Sequence, residues 1–408
     1  MTLVDIQDEK RFEKYKPNIS DKIKSIFDTI MVKVVKGAIL DKASDIFFVT
    51  WEPPVVESSW ECNKILIAKN NTDSWTPEYL RISDEFVLHH FFKFVSEKVM
   101  SFEYQQELFE TQFYTDLSGV VEGQRFRINV AKQQGHFTIT MRLISAVIPD
   151  IDQIWLPLPF KSVLNNSQWL ILVVWPTGSW KSSSLASMID FINNNPKKKK
   201  HIITLEDPIE YQYKSNYCLI EQKEMYQDIK TFAWGIRAAL RQHPDIILVW
   251  EMRDPETIEM ALKAWETRHL VFSTMHTNSA VNTISKVLNN FEGVKQWQVR
   301  EELADILTAI FVQRLLPKKA APGEKAGKIL CLEICLVDDA IRNQIRTGEF
   351  LSIETSIQMS RDKWMILFDD YLLELYKKNI ITKETVVEFS RKKELSIKKM
   401  SEIIQNKS

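Results

Sequence analysis

Ile19, Ile23, Ile26, Ile30 and Val34 recur at spacings of three and four, the stripe of an amphipathic helix, behind a charged leader that ends near residue 18. Asp45 to Thr50 (Asp-Ile-Phe-Phe-Val-Thr) is short and rich in aromatic and β-branched residues, and predicts a strand. Arg125 to Val130 alternates polar and apolar, and Phe137 to Leu143 repeats that period, which predicts two half-buried strands. One helix with half-buried strands amounts to a small α+β domain over residues 1–145. Pro149, Pro157 and Pro159 then punctuate a connector over 146–160.

Beyond the connector the pattern changes. Leu170 to Val174, His201 to Leu205, Ile246 to Val249 and Leu270 to Thr274 are compact apolar runs separated by stretches of helical length. This alternation predicts a mainly parallel α/β sheet. Lys197 to Lys200 reads as a solvated loop between a helix and a strand rather than a phosphate or lipid site. After the Pro, Gly and Lys stretch from Pro317 to Lys328, the chain is expected to be helical and lysine-rich to its end. No internal repeat occurs.

Composition narrows the classes. The chain has 408 residues, with 53 Lys plus Arg against 54 Asp plus Glu, a net charge of -1. No global basic field therefore points to nucleic acid or an anionic membrane. No apolar run reaches the length of a membrane span, and the N-terminus lacks the charged-then-apolar order of a signal peptide. Cys62, Cys218, Cys331 and Cys335 are too few and too scattered for a disulfide framework, so the cytosol is the expected compartment. The spacing of Cys331 and Cys335 has no second pair to complete a zinc site.

The chemistry concentrates where the first α/β strand ends. Leu170 to Val174 runs into Trp175-Pro176-Thr177-Gly178-Ser179-Trp180-Lys181-Ser182 and then a helix carrying Leu185, Met188, Ile189 and Ile192. Strand, tight loop, Lys-Ser and helix is the context of a P-loop. Its backbone N–H groups turn around phosphate, its lysine reaches the β- and γ-phosphates, and its hydroxyl holds magnesium. Lys181 and Ser182 fit the two side-chain roles. The pattern wants glycine, however, at positions 175 and 180.

Asp245 to Glu251 is an apolar strand ending in an acid, which makes Glu251 the candidate base beside magnesium and water. Ile203 to Glu210 places Glu206, Asp207 and Glu210 at another strand end. His269 and His276 bracket the strand Leu270 to Thr274.

These boxes, in this order, resemble the PilT-type hexameric ATPases within the secretion-ATPase superfamily, over a run from Leu170 to about Arg346. Similarity continues upstream through Ala43-Ser44-Asp45, Pro53-Pro54 and Arg125 to Val130. The resemblance implies an α/β fold: a RecA-like P-loop ATPase core at 161–358, a smaller PAS-like α+β domain at 1–145 and lysine-rich helices at 359–408. It further implies ATP and Mg2+ as ligands, a homohexamer, and work at the cytoplasmic side of an inner-membrane platform protein, with no nucleic acid and no direct membrane insertion. By motif, Pro176, Thr177, Gly178, Ser179, Trp180, Lys181, Ser182 and Ser183 would hold phosphate. Ser182, Asp207 and Glu251 would face the metal, with Glu206 and Glu210 supporting the geometry. His269 and His276 would sense nucleotide state, Arg237 and Arg241 would neutralise charge, and Arg125 and Arg127 would reach the nucleotide from the N-terminal domain.

Ala340-Ile341-Arg342-Asn343-Gln344-Ile345-Arg346-Thr347 is similar to the segment that marks the retraction subfamily, departing at Gln344 and Thr347. Pilus retraction is expected ahead of pilus extension or secretion. One number stands out: 408 residues at about 7% usage should hold roughly 29 glycines, yet the chain has 10, fewer than its 12 tryptophans. The family has glycine at positions 175, 180 and 250, and in correspondence also at 51, 60, 155, 169 and 364. Arg268 is a further loss of a family glycine. Three explanations stand: UGA codons read as glycine in the native cell, a decaying gene, or an inactive homologue with a plugged pocket. Tryptophan at 180 and 250, if present in the protein, would block hydrolysis and leave a non-catalytic subunit.

Overall fold

A computed structural model describes residues 18–405 apart from 42, 59–60, 65–81, 97–110, 145–146, 153, 155–163, 165–168, 175–180, 267–268 and 321–326. The chain divides into two compact units. The first takes residues 1–147 with 208–212 and 224–230, and the second takes 148–207, 213–223 and 231–408. The two short inclusions from the α/β half carry no mark in the sequence.

The first unit holds α1 (Asp21–Leu40), β1 (Asp45–Val49), β2 (Val55–Ser58), β3 (Glu61–Lys64), α2 (Asp84–Ser96), β4 (Tyr114–Val121), β5 (Gln124–Gln133) and β6 (His136–Leu143). Its six strands form one antiparallel sheet in the order β3-β2-β1-β6-β5-β4. Both hairpins from β4 to β6 turn through two residues at positive φ, Glu122-Gly123 and Gln134-Gly135, the twist that matches flanking strands. Apolar residues of one sheet face (Ile46, Phe48, Phe126, Ile128) meet Met31, Val34, Val35, Phe86 and Phe91 from the two helices. The helix differs from its expected stripe: Ile23 and Ile26 are exposed, and burial is carried by the later turns through Ala38. Only that half lies over the sheet core.

The second unit contains β7 (Trp169–Val174), α3 (Lys181–Asn193), β8 (His201–Glu206), β9 (Leu219–Glu224), α4 (Phe232–Ala239), β10 (Ile246–Val249), α5 (Pro255–Glu266), β11 (Leu270–Met275), α6 (Ala280–Leu288), α7 (Gly293–Ile306), β12 (Leu307–Pro317) and β13 (Lys328–Leu336). Helices α8 (Asp339–Thr347), α9 (Ser352–Met359), α10 (Phe368–Lys377), α11 (Lys383–Phe389) and α12 (Lys393–Gln405) follow. The sheet order is β13-β12-β7-β11-β10-β8-β9. Strands β12, β7, β11, β10 and β8 run parallel, and β13 closes one edge antiparallel to β12. Each central strand is buried on both faces, which is why it reads as a continuous apolar run rather than an alternation.

The expectation of unbroken helix beyond residue 328 is overturned by β13. Ile329 to Cys335 is buried throughout. A strand covered on both faces carries no periodicity to separate it from a buried helix. Burial pushes the thiols of Cys331 and Cys335 up. A further core joins Leu316, Ile329 and Cys331 to Phe368, Leu372 and Val386, packing the C-terminal helices onto the second unit. In the lysine run, Lys200 pairs with Asp245 at 2.8 Å. Burial works to raise the Asp245 carboxyl, but Lys200 and the His201 amide outweigh it and hold it low. Among the described residues, no helix is long and apolar enough to cross a membrane.

Candidate active site

Register fixes which residues can meet. Val174 of β7 aligns with Met275 of β11 and Val312 of β12, while Val249 of β10 aligns with Leu205 of β8 and Ser273 of β11. Glu206, Glu251, Thr274, His276 and the chain leaving β7 toward α3 therefore belong to one edge, the carboxyl ends of the parallel strands. Open α/β sheets hold ligands there. Trp175 to Trp180, and with them Pro176, Thr177, Gly178 and Ser179, lie outside the described residues. Lys181 opens α3, with Ser182 and Ser183 half-buried in the first turn. A helix start presents unpaired amides and the positive end of the helix dipole, which suits phosphate.

Glu251 is the most constrained acid at this edge. Its backbone neighbourhood is tied to the strands on either side. The Trp250 amide donates to the Leu205 carbonyl at 2.8 Å, the Met252 amide to the Thr274 carbonyl at 3.1 Å, and the Ser273 hydroxyl to the Val249 carbonyl at 2.9 Å. The Thr274 hydroxyl also donates to the Trp250 carbonyl. Only 4% of Glu251 is exposed. One carboxylate oxygen takes the Arg253 Nε–H at 2.7 Å, and the other lies 3.2 Å from His276 Nε2. Burying a carboxylate is costly unless it is paired and hydrogen-bonded in this way. Next along, Asp254 caps α5 through the Thr257 amide and hydroxyl, so its role is structural.

Glu206 is also 4% exposed. Its Oε1 accepts the Thr204 hydroxyl at 2.7 Å and the Gln222 amide at 3.0 Å. Asp207 follows it, half-buried, whereas Glu210 clusters with the first unit. Glu206, Glu251 and the serine at the head of α3 are oxygen donors of the kind magnesium takes.

The remaining expected residues are spread more widely. His269 precedes β11 and His276 follows it, so at about 3.3 Å of rise per residue they stand roughly 20 Å apart. His276 belongs to the Glu251 edge, while His269 is buried and its Nδ1 meets the Ala264 carbonyl at 2.9 Å. Arg237 on α4 is exposed and lies 3.6 Å from Glu256, and Arg241 is exposed just beyond the same helix. Arg125, on β5, is held by Glu224 and by the Ser118 hydroxyl at 2.9 Å, while Arg127 lies 3.6 Å from Asp116. Arg253, Thr204, Gln222 and Glu224 had no sequence signal, because each gains meaning only from the acid or arginine it faces.

The segment from Ala340 to Thr347 forms most of α8. Arg342 donates to the Ala304 and Asp305 carbonyls at 2.8 and 2.7 Å, covering the C-terminal end of α7. Arg346 pairs with Asp305 and Glu301. Gln344, one of the departures from the subfamily pattern, exchanges hydrogen bonds with Ser356 of α9.

A family model described as type II/IV secretion system protein matches residues 136–368. The type IV pilus retraction ATPase PilT of Pseudomonas aeruginosa is 38% identical over 283 residues, 69% of this chain and 79% of the relative. A twitching motility protein of Neisseria gonorrhoeae is 37% identical over 69% of this chain and 72% of its own length. A crystal structure of the pilus retraction motor PilT with bound ADP superposes with a TM-score of 0.75 at 37% identity, covering 88% of this chain and 96% of that one. The Legionella pneumophila ATPase DotB shares the fold at a TM-score of 0.72 and 23% identity. The ordered site boxes, the topology and these similarities agree: the chain belongs to the type II/IV secretion system protein family, whose PilT-like members are ATPases.

Proposed function

We propose that this chain is the subunit of a homohexameric, ATP-hydrolysing motor that drives type IV pilus retraction, working in the cytoplasm at the inner-membrane base of the pilus machine. The observation that carries the reading is Glu251, buried at the carboxyl edge of the sheet and gripped by Arg253 and His276. That is how a general base is held for an attacking water. When bound, magnesium ATP supplies the phosphoanhydride bond and a cation that neutralises its oxygens. Lys181 and the amides at the head of α3 would hold the phosphates, and the Ser182 hydroxyl with Asp207 and Glu251 would hold the cation. Glu251 accepts the proton of the water, while His276 and Arg253 hold the carboxylate in place. Glu206 supports the acidic edge. Arg237, Arg241, Arg125 and Arg127 bring positive charge to the nucleotide as subunits close on one another, where guanidinium geometry matches phosphate oxygens.

The segment from Ala340 to Thr347, similar to the one that marks the retraction subfamily, favours retraction over the secretion and extension machines that share the fold. Tryptophan at 175 and 180 favours a second reading, a non-catalytic subunit that binds its neighbours without turnover. Magnesium-dependent phosphate release by the protein from its native cell is the test. Glu251→Gln is expected to keep nucleotide binding and lose about 100-fold or more in turnover. Unchanged turnover in that variant would remove the mechanism, and a strain lacking the gene that retracts its pili normally would remove the biological role.

A further inference from the structure

Helices that end in a left-handed residue make a recognisable pair of backbone bonds, one spanning five residues and one spanning three. Among the described residues, three helical ends, one of them after a 3-10 turn, are built this way. At the end of α8, the Glu349 amide donates to the Gln344 carbonyl and the Gly348 amide to Ile345, with Gly348 at φ 80°, ψ 14°. At the end of α10, Ile380 donates to Leu375 and Asn379 to Tyr376, with Asn379 at φ 57°. After the 3-10 turn Arg361–Lys363, Met365 donates to Ser360 and the next amide back to Arg361, with Trp364 at φ 68°, ψ 12°. Glycine and asparagine are the residues this position takes. Tryptophan is not, because a Cβ in this conformation crowds the following carbonyl, and the Trp364 side chain stands 58% exposed, outside the buried core.

Trp51 repeats the anomaly. It is the third residue of a turn closed by the Glu52 amide on the Val49 carbonyl, at φ 71° and 57% exposed. Positive φ at that place calls for glycine or asparagine. Positive φ alone is not diagnostic, since Phe113, Tyr226 and His243 share it. What singles out the tryptophans is agreement between independent lines. Two stand in glycine geometry, two more stand at 175 and 180 where a P-loop needs glycine beside Lys181, and the chain has 12 tryptophans to 10 glycines.

We propose that positions 51, 175, 180 and 364 are glycine in the protein its own cell makes, because the UGA codons there are read as glycine. The sequence before Lys181 then fits the glycine pattern that a P-loop needs, and the same decoding at 250 places a small residue immediately before Glu251. Glycine at 175 and 180 lets the loop backbone turn its amides onto phosphate, which an indole at either position opposes. This inference concerns residue identity and goes beyond the motor reading, so each can fail alone.

The test is peptide mass spectrometry on the protein from its native cell, covering 174–181 and 361–366, beside the codons of the gene. UGA codons with glycine found at 175, 180 and 364 are expected. UGG codons, or tryptophan found at any of the three, would overturn the inference. Protein expressed with glycine codons at all five positions is expected to bind ATP at least tenfold more tightly than protein carrying the tryptophans. Equal binding by the two forms would overturn the claim that the cradle depends on them. Glycine in the native protein together with absent ATP hydrolysis would instead sink the motor reading and leave this one standing.

Discussion

Glu251 and His276 approach to 3.2 Å although each follows a different strand, β10 and β11. Parallel pairing of those strands, from Ile246 with Leu270 to Val249 with Ser273, puts both residues beyond the same sheet edge. A slip of one residue would turn one of them away, because side chains alternate along a strand. The contact therefore rests on the register of the core and not on the local loops.

His276→Ala is expected to lower single-turnover hydrolysis by about tenfold while leaving nucleotide affinity within about twofold, since the imidazole orients the base rather than holding phosphate. Rapid-quench phosphate release beside equilibrium nucleotide binding measures both. Equal losses in binding and turnover would place His276 on the nucleotide instead.

Arg342→Ala removes the donor to two carbonyls at the end of α7. A hydrogen bond from a charged group contributes about 1.5–3 kcal/mol, so Tm is expected to fall by several degrees at this domain size. Differential scanning calorimetry reads this directly. An unchanged Tm would make the segment a recognition surface rather than a strut.

Acid should weaken the N-terminal unit through His90. Burial, followed by the neighbouring His89, lowers its pKa from the usual 6.5 to about 3. Between these values the unfolded chain binds a proton that the folded one does not. Stability therefore falls as pH drops from about 6.5 toward 3, by about 1.4 kcal/mol per pH unit for one proton. His90→Phe should flatten that slope in urea titrations across the range. A slope unchanged by the substitution would show that other groups carry it.

In protein carrying tryptophan at 364, Trp364→Gly is expected to raise stability by about 1 kcal/mol, the cost of a left-handed residue with a Cβ. Gly348→Trp should act in the opposite direction, since a Cβ there meets Arg300 Nη1 at 3.2 Å as well as the dihedral cost. Urea midpoints of the two variants against the parent decide the matter. A loss of stability in Trp364→Gly would mean that the indole's contacts outweigh its backbone.

Much of the fold follows from one-dimensional pattern. The strands 170–174, 201–205, 246–249 and 270–274 were legible because burial on both faces leaves short apolar runs, and β5 and β6 because half-burial leaves an alternation. Strands β12 and β13 were not, since a long buried run before and after a lysine-rich loop carries no period that separates strand from helix. The segments 208–212 and 224–230 join the first unit without any local mark of it.

For the site, the chain by itself determined the chemical types: a lysine and serine after a strand, acids at strand ends, a histidine beyond β11. Those depend on residues near in sequence, where spacing and order are enough. Only the tertiary structure decided that Arg253 and His276 share Glu251, that Glu206 is held by Thr204 and Gln222, and that Glu224 occupies Arg125. Arg253 and Thr204 sit only two residues from the acids they hold, but His276 on Glu251, Gln222 on Glu206 and Glu224 on Arg125 join separate elements, whose order and register are set by how the whole core packs, which no local stretch of residues encodes. The backbone likewise adds that 51 and 364 stand at positive φ, the conformation that glycine and asparagine take most readily, because a left-handed dihedral belongs to the turn and is invisible in the letter that occupies it.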